Sequence, residues 1–297
     1  MLNVGVIGIG AMGMGVAKSL LRAGFAVRVR DIRAEAEDEA RAAGAVVCAS
    51  AAGLAAGCDV LISVVVDSAQ TDDALFGEEG AAVTLGAGGI VMLCSTVAPD
   101  YAAALAQRLA ARGLAMLDAP VSGGPARALA GTLSMMLAGS DSALAYCAPV
   151  LQAVADRRFI ISSRPGDGSR AKIVNNMLAG VNLAAACEAM ALGIRLGLDA
   201  TTLHDVICAS SGGSWMFGDR MPRVLEGDYT PRAALKILTK DLSLLLEAAA
   251  SVECPVELAQ AAHRAYTDAV ARGLGDEDDA ALLKRYAVLA GVALPGT

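Results

Sequence analysis

Short uninterrupted apolar runs alternate with segments whose apolar residues recur at helical spacing through the first half of the chain. NVGVIGI at 3–9 reads as a buried strand. AMGMGVAKSLLRAG reads as a helix closed by Gly24. FAVRVRD and AEAEDEARAAG repeat the strand and the helix. Further apolar runs stand at VVC (46–48), DVLISVVV (59–66), GIVMLCS (89–95) and GLAMLDA (113–119), with helical stretches between most of them. A run of four to eight apolar residues bounded by turn residues suits a strand buried on both faces. Alternation with helices then predicts an α/β, doubly wound parallel sheet with helices on both faces. TLSMMLAGS and RRFIIS are expected as further strands flanking a helix at 141–153.

After residue 163 the strand pattern stops. A long helix is expected from Gly168 to Gly197, then helices at 200–210, 233–250, 255–272 and 278–290. The glycine- and proline-rich stretches SSRPGDGS and SSGGSWMFGD read as breaks. The expected organisation is a dinucleotide-binding domain over 1–163 and an all-helical domain for substrate and oligomer contacts over 164–297.

Composition narrows the classes. Of 297 residues, 55% are hydrophobic and 19% charged, enough for sizeable cores and against disorder. The net charge of −7 leaves no basic footprint for nucleic acid. The seven cysteines form no CxxC pair and the two histidines, His204 and His263, stand apart. No metal site and no disulfide framework are therefore expected, which fits a reducing cytoplasm. MLNVGVIGIG lacks the basic start of a secretion signal. The apolar segment around 177–194 contains Asn182 and Glu188, so a buried helix is expected rather than a membrane span.

Gly8-Ile9-Gly10-Ala11-Met12-Gly13 is G-x-G-x-x-G directly after a strand and opening a helix. The first glycine permits the turn, the second lets backbone approach a pyrophosphate, and the third lets helix and strand pack closely. The helix N-terminus faces the anion. Asp31 ends the second strand and can accept hydrogen bonds from both ribose hydroxyls, which favours NAD. Arg30 and Arg33 flank it, and either could cover a 2′-phosphate, which leaves NADP open.

Ligands of open α/β sheets sit beyond the carboxyl ends of the strands. Val65-Val66, Ser95-Thr96 and Asp118 to Gly124 fall on that edge. Ser122, Gly123 and Gly124 offer a hydroxyl and bare backbone N–H groups suited to a carboxylate, or form an ordinary turn. Oxidising an alcohol needs a proton acceptor at its oxygen. His204 and His263 lie in helical segments and read as structural or exposed. Lys172 is left as the acid/base candidate, and desolvation beside a cationic nicotinamide favours the neutral amine. The competing reading is a lysine on an exposed first helical turn. Asn175 and Asn176 follow, and Asn176 shares the face of Lys172. The Lys240-Asp241 step in ILTKDLSLLLEAAA marks either a solvated helix edge or a cleft. Trp215, the single tryptophan, reads as a loop residue that plugs a core or lines a site.

Five motifs in order, VGVIGIGAMGMGVAKSL, CSTVAP, DAPVSGGPARALAGTL, GDGSRAKIVNNM and LTKDL, resemble the β-hydroxyacid dehydrogenase family of 3-hydroxyisobutyrate dehydrogenase and tartronate semialdehyde reductase. The resemblance implies a Rossmann domain, a long interdomain helix, a helical C-terminal domain and homodimers or homotetramers. It makes Lys172 the catalytic lysine of G-x-x-x-K-x-x-x-N, which runs from Gly168 to Asn176. It assigns the substrate carboxylate to Ser122, Gly123 and Gly124, puts Thr96 between nicotinamide and substrate, and makes Lys240 line the cleft. The stretch from SSGGSWMFGDRMPRVLEGDYTP to LTKDL is similar to L-threonate dehydrogenases, with Ser214, Arg220 and Asn175 as partners for the extra hydroxyls. Rival readings are 3-hydroxyisobutyrate or tartronate semialdehyde as substrate, and, in another class, a nucleotide-dependent binding protein without turnover. Imine reductases of related fold generally lack the lysine.

Overall fold

The computed structural model describes residues 2–294. The chain divides into two compact units, Met1–Lys172 and Ile173–Thr297, with the division inside one helix.

The first unit runs β1 (Asn3–Ile7), α1 (Ala11–Arg22), β2 (Ala26–Arg30), α2 (Ala34–Ala42), β3 (Val46–Val47), α3 (Ala51–Ala55) and β4 (Val60–Ser63). It continues with α4 (Ser68–Phe76), β5 (Ile90–Leu93), α5 (Pro99–Ala110), β6 (Ala115–Asp118), β7 (Val121–Ser122), α6 (Gly124–Ala130), β8 (Leu133–Ala138), α7 (Asp141–Val154) and β9 (Ala155–Ser162). The sheet order is β3-β2-β1-β4-β5-β6-β8-β7, with β9 on the other side of β8. The first six strands in that order are parallel, and their order reverses between β1 and β4, where doubly wound sheets open a crevice.

The apolar runs are continuous because both faces are covered. In β4, Val60 and Ile62 enter one core cluster with Val4, Val6 and Met92, while Leu61 enters another with Ile7, Val91 and Leu93. Each such side chain contributes about 1.5–3 kcal/mol on burial. β4 ends at Ser63, short of the run DVLISVVV, so Val64 to Val66 lie beyond the strand.

The sheet is parallel as expected from β3 through β6 and departs from that only at its far end. β8 runs antiparallel to β6 and to β7, and β9 runs parallel to β8. The β6–β8 pairing is at Asp118↔Ala138. The earlier residues of β8 therefore extend past the C-terminal end of β6, and β7 pairs with that extension. β9 returns to the same level, with Ser162 opposite Ala138.

α8 (Asp167–Arg195) follows and carries the chain into the second unit, which continues with α9 (Ala200–Cys208), α10 (Trp215–Leu225), α11 (Leu235–Ser251), α12 (Glu257–Ala269) and α13 (Leu282–Ala290). Leu183, Cys187 and Met190 of α8 pack with Phe217, Leu242 and Tyr266 in one core. Among the described residues, α8 is the helix long and apolar enough to cross a membrane, yet its middle is buried in that core. The expected break at SSGGSWMFGD is present but shorter than that stretch, ending before Trp215. Ser214 caps α10 by accepting from the Phe217 amide at 3.1 Å, so Trp215 opens a helix instead of sitting in a loop. A serine N-cap ahead of a Met-Phe pair that buries in the core outweighs the two preceding glycines.

Candidate active site

The strand register aligns the ends of the parallel strands. Arg30 pairs with Ile7, Ile7 with Ser63, Ser63 with Leu93, and Leu93 with Asp118. The residues that follow these positions therefore stand along one edge: Asp31, Gly8, Val65 and Val66, Thr96, and the segment leading to Ser122.

At that edge the glycine loop is fixed from two sides. The Gly8 amide donates to the Arg30 carbonyl at 3.0 Å, and the Ile9 amide donates to the Asp31 carboxylate at 2.8 Å. A Cβ on Gly13 would lie 1.9 Å from the Gly8 carbonyl oxygen, so the loop and α1 close only around glycine. A Cβ on Gly10 would meet nothing nearer than the Arg33 guanidinium at 3.6 Å, so the loop's outer side is open. Gly10 caps α1 without a side chain, and the first turn, beginning Ala11-Met12, holds no acidic residue. The free N–H groups and positive helix end are thus left for an external anion. These residues fit the pyrophosphate of a dinucleotide. A cavity of about 470 Å³ beside the loop is lined by Gly10, Ala11, Lys18, Arg33, Glu39 and Pro125, among others; Val65, Thr96, Ser122 and Lys172 are not on its wall.

Asp31 is buried and more engaged than the sequence suggests. Its Oδ1 accepts from the Arg33 amide and Nε, both at 3.0 Å, and its Oδ2 accepts from the Ile9 amide and from Arg33 Nη2 at 3.3 Å. Burial raises its carboxyl, and the bonds and charge of Arg33 with the Ile9 amide outweigh that, so the net shift is below the usual aspartate value. Arg30 pairs with Glu37 at 2.7 Å, so the two flanking arginines have different acidic partners.

Val65 is half-buried and Val66 exposed, ahead of the Asp67 cap of α4. Thr96 is half-buried after β5. Ser122 lies on β7 opposite Ser134 instead of in a free turn. Gly123 (φ +133°) and Gly124 (φ +75°) then turn the chain into α6, a backbone path only glycine follows without strain. A Cβ on Gly124 would meet nothing within 4 Å, so the turn is open on that side.

Asp118, the last residue of β6, is fully buried and holds the start of α8. Its Oδ2 accepts from the Gly166 and Ser169 amides at 2.8 Å each, and its Oδ1 from the Ser169 hydroxyl at 2.8 Å. Burial pushes its carboxyl above the usual value against the pull of those bonds. A Cβ on Gly168 would sit 2.7 Å from the Met136 carbonyl and 2.8 Å from that of Asp118, so the helix start is pressed against the strand ends. Lys172 follows one turn later and is 8% exposed, which removes the exposed-first-turn reading. Asn176 is one further turn along the same face.

In the second unit, Asn175 Nδ2 donates to Asn176 Oδ1 at 3.1 Å, and Asn176 Nδ2 donates to Asp241 Oδ2 at 2.7 Å. Lys240 Nζ lies 2.8 Å from Asp241 Oδ1. Asp241 is 4% exposed, so it is the hidden member of a polar chain joining α8 to α11. Its signal in the sequence is an acid inside an apolar helix; Asp118 and Ser169 give no signal short of the fold. Trp215 is 57% exposed and plugs no core. Arg220 is not available for substrate hydroxyls: it holds Asp279 through Nε at 2.7 Å and Nη2 at 3.0 Å.

A parallel sheet reversing at β1 and β4, a glycine loop opening onto an uncapped helix, and a buried lysine one turn beyond a strand-anchored helix start define a dinucleotide-dependent oxidoreductase. Residues 3–162 match the family model for the NAD binding domain of 6-phosphogluconate dehydrogenase. Residues 166–286 match that for the NAD-binding region of NADP-dependent 3-hydroxyisobutyrate dehydrogenase. A protein of Cupriavidus necator named L-threonate dehydrogenase is 48% identical over 294 residues, covering 99% of this chain and 98% of its own. The crystal structure of a 3-hydroxyisobutyrate dehydrogenase from Salmonella typhimurium superposes with a TM-score of 0.91 at 43% identity, over 96% of this chain and 99% of that one. A structure of Psf3 in complex with NADP+ and 2-OPP superposes with a TM-score of 0.86 at 27% identity, over 95% and 99%. The chain belongs to the 3-hydroxyisobutyrate dehydrogenase-like family of NAD(P)-binding hydroxyacid dehydrogenases.

Proposed function

We propose that this protein oxidises a small sugar acid, L-threonate or a close relative, with NAD, and that Lys172 handles the proton. When bound, the nicotinamide takes up hydride from the carbinol carbon. Gly10 to Gly13 and the α1 N-terminus hold the pyrophosphate, Asp31 the adenosine ribose, and Val65, Val66 and Thr96 flank the dinucleotide along the strand ends. Ser122 with the Gly123 and Gly124 amides takes the substrate carboxylate. Lys172 Nζ accepts the hydroxyl proton, and Asn176, fixed by Asp241, orients the reacting oxygen. The same proposal gives Lys240 a cofactor contact, and Asn175 and Trp215 contacts with the substrate.

The observation that carries this reading is the burial of Lys172 on a helix whose first turn is bonded to the end of β6. Identity of 48% with an L-threonate dehydrogenase supports the substrate class. Asp31 supports NAD, although Arg33 at its side is the group that would meet a 2′-phosphate. Seven free thiols support a cytoplasmic setting. Exposed Val174, Leu178 and Leu192 along α8, with Leu196 just past its end, support self-association as a dimer or tetramer.

Initial rates with NAD and NADP across L-threonate, D-threonate, 3-hydroxyisobutyrate and D-glycerate test the substrate and cofactor together. L-threonate with NAD is expected to give the highest kcat/KM; a preference for 3-hydroxyisobutyrate overturns the sugar-acid assignment. Lys172→Ala is expected to bind NADH as the wild type does and to lose about 10²–10⁴-fold in kcat. Near-normal turnover removes the lysine from the chemistry.

A further inference from the structure

Outside the dehydrogenase site, α9 carries a thiol, an imidazole and a carboxylate in series. His204 and Cys208 share a face, one helical turn apart, and His204 Nε2 lies 3.3 Å from Cys208 Sγ. His204 Nδ1 lies 3.0 Å from Asp205 Oδ1. The imidazole is stacked on Phe217 of α10, with centroids 5.6 Å apart and planes 11° from parallel, and Phe217 is 2% exposed. The ring is thus held flat against a buried aromatic while its two nitrogens face the carboxylate and the sulfur.

That arrangement selects a tautomer. An ionised carboxylate only accepts, so Nδ1 donates to Asp205. In the neutral ring Nε2 is then the acceptor, and the hydrogen bond runs from the Cys208 thiol to His204. A thiol reacts through its thiolate, so an imidazole in position to take the proton makes the sulfur a nucleophile.

The other cysteines lack this setting. Cys58, Cys94, Cys147 and Cys187 are buried, and burial pushes the first three thiols up to about 11, about 12 and about 12. Cys254 is exposed like Cys208 and Cys48 is half-buried, but their sulfurs' neighbours are the Pro255 and Val46 carbonyls, each at 3.9 Å. Among the described residues no group of three or more His, Cys, Asp or Glu side chains is arranged to hold a metal. Gly218 faces the sulfur: even a Cβ there would stand 3.9 Å away, which leaves room for an added oxygen.

We propose that Cys208 is a modification site of this protein, a thiol primed by His204 and Asp205 to react with hydroperoxides. The sulfur attacks one peroxide oxygen, an S–O bond forms and the O–O bond breaks. Sulfur is oxidised by two electrons to the sulfenic acid, and the peroxide is reduced to water or an alcohol. His204 takes the thiol proton and returns it to the departing oxygen.

The test uses the full chain, hydrogen peroxide and dimedone, with each cysteine followed by peptide mass spectrometry. Cys208 is expected to be tagged several-fold faster than Cys254, and the two rates are expected to converge in denaturing urea. His204→Gln is expected to lower the Cys208 rate to that of Cys254 and to leave the Cys254 rate unchanged. Asp205→Asn, an exposed position, is expected to lower the Cys208 rate in the same direction. Equal rates for the two thiols in the native protein overturn the proposal. So does an undiminished Cys208 rate in His204→Gln.

Discussion

Replacing Asp118 by alanine removes the acceptor for the Gly166 amide, the Ser169 amide and the Ser169 hydroxyl, each at 2.8 Å, at a position with no solvent exposure. Each buried donor left without a partner costs about 1–3 kcal/mol. The two amides cannot turn to other acceptors, while the hydroxyl can rotate. The expected loss is therefore about 2–6 kcal/mol, a shift of about 0.7–2 M in the urea midpoint at a slope of about 3 kcal/mol/M. Asp118→Asn is the sharper control. It keeps one oxygen for the amides and the same shape, and it relieves the burial that pushes the wild-type carboxyl up. Its loss is expected to stay within about 1.5 kcal/mol, the worth of a single neutral hydrogen bond. The catalytic effect should follow geometry: with the first turn of α8 loosened, Lys172 is displaced, and a shift on the order of 1 Å lowers kcat about 10²-fold. The dissociation constant for NADH should hold, because the glycine loop lies across the sheet from β6. Urea unfolding and steady-state rates on both variants make the assay. Asp118→Ala with a wild-type midpoint and kcat would refute the claim that this carboxylate positions the lysine.

Two further outcomes concern the cofactor end. Gly13→Ala puts a carbon where only 1.9 Å separates it from the Gly8 carbonyl oxygen, so the loop must open; NADH binding followed by fluorescence should fall below detection. Asp31 has a lowered folded-state pKa, so its stabilising contacts are fully present above the unfolded aspartate value of about 3.9 and are lost as pH falls through the lower folded value. The gap in urea midpoint between wild type and Asp31→Asn should therefore be constant near neutrality and narrow below about pH 4; a gap that widens on acidification would contradict the contacts described.

The parallel strands were legible because burial on both faces leaves runs such as VLIS without alternation, and the glycine loop because its spacing has a steric cause. The antiparallel β7–β8 pair was not, since two-residue β7 leaves too short a pattern to read and its pairing is decided by tertiary contact. Trp215 was misplaced because two glycines outvoted the serine cap that follows them. The remaining differences are contacts between residues far apart in sequence. Asp118 meets Ser169, Asn176 meets Asp241, and Arg220 meets Asp279. Lys172 stood out in the sequence as a cation ahead of an apolar helix and as the lysine of a G-x-x-x-K-x-x-x-N pattern. Its burial, and the aspartate that moors its turn, exist only once the sheet is assembled.

The mooring of α8 also separates what in this molecule is constrained from what is free to drift. Glycine loop, Gly123-Gly124 turn and Lys172 all take their places from the edge of a single sheet. Under the proposed assignment, substitutions in α9 to α13 leave the proton-handling amine in register, so a lineage built on this plan can vary its second half without relearning its chemistry.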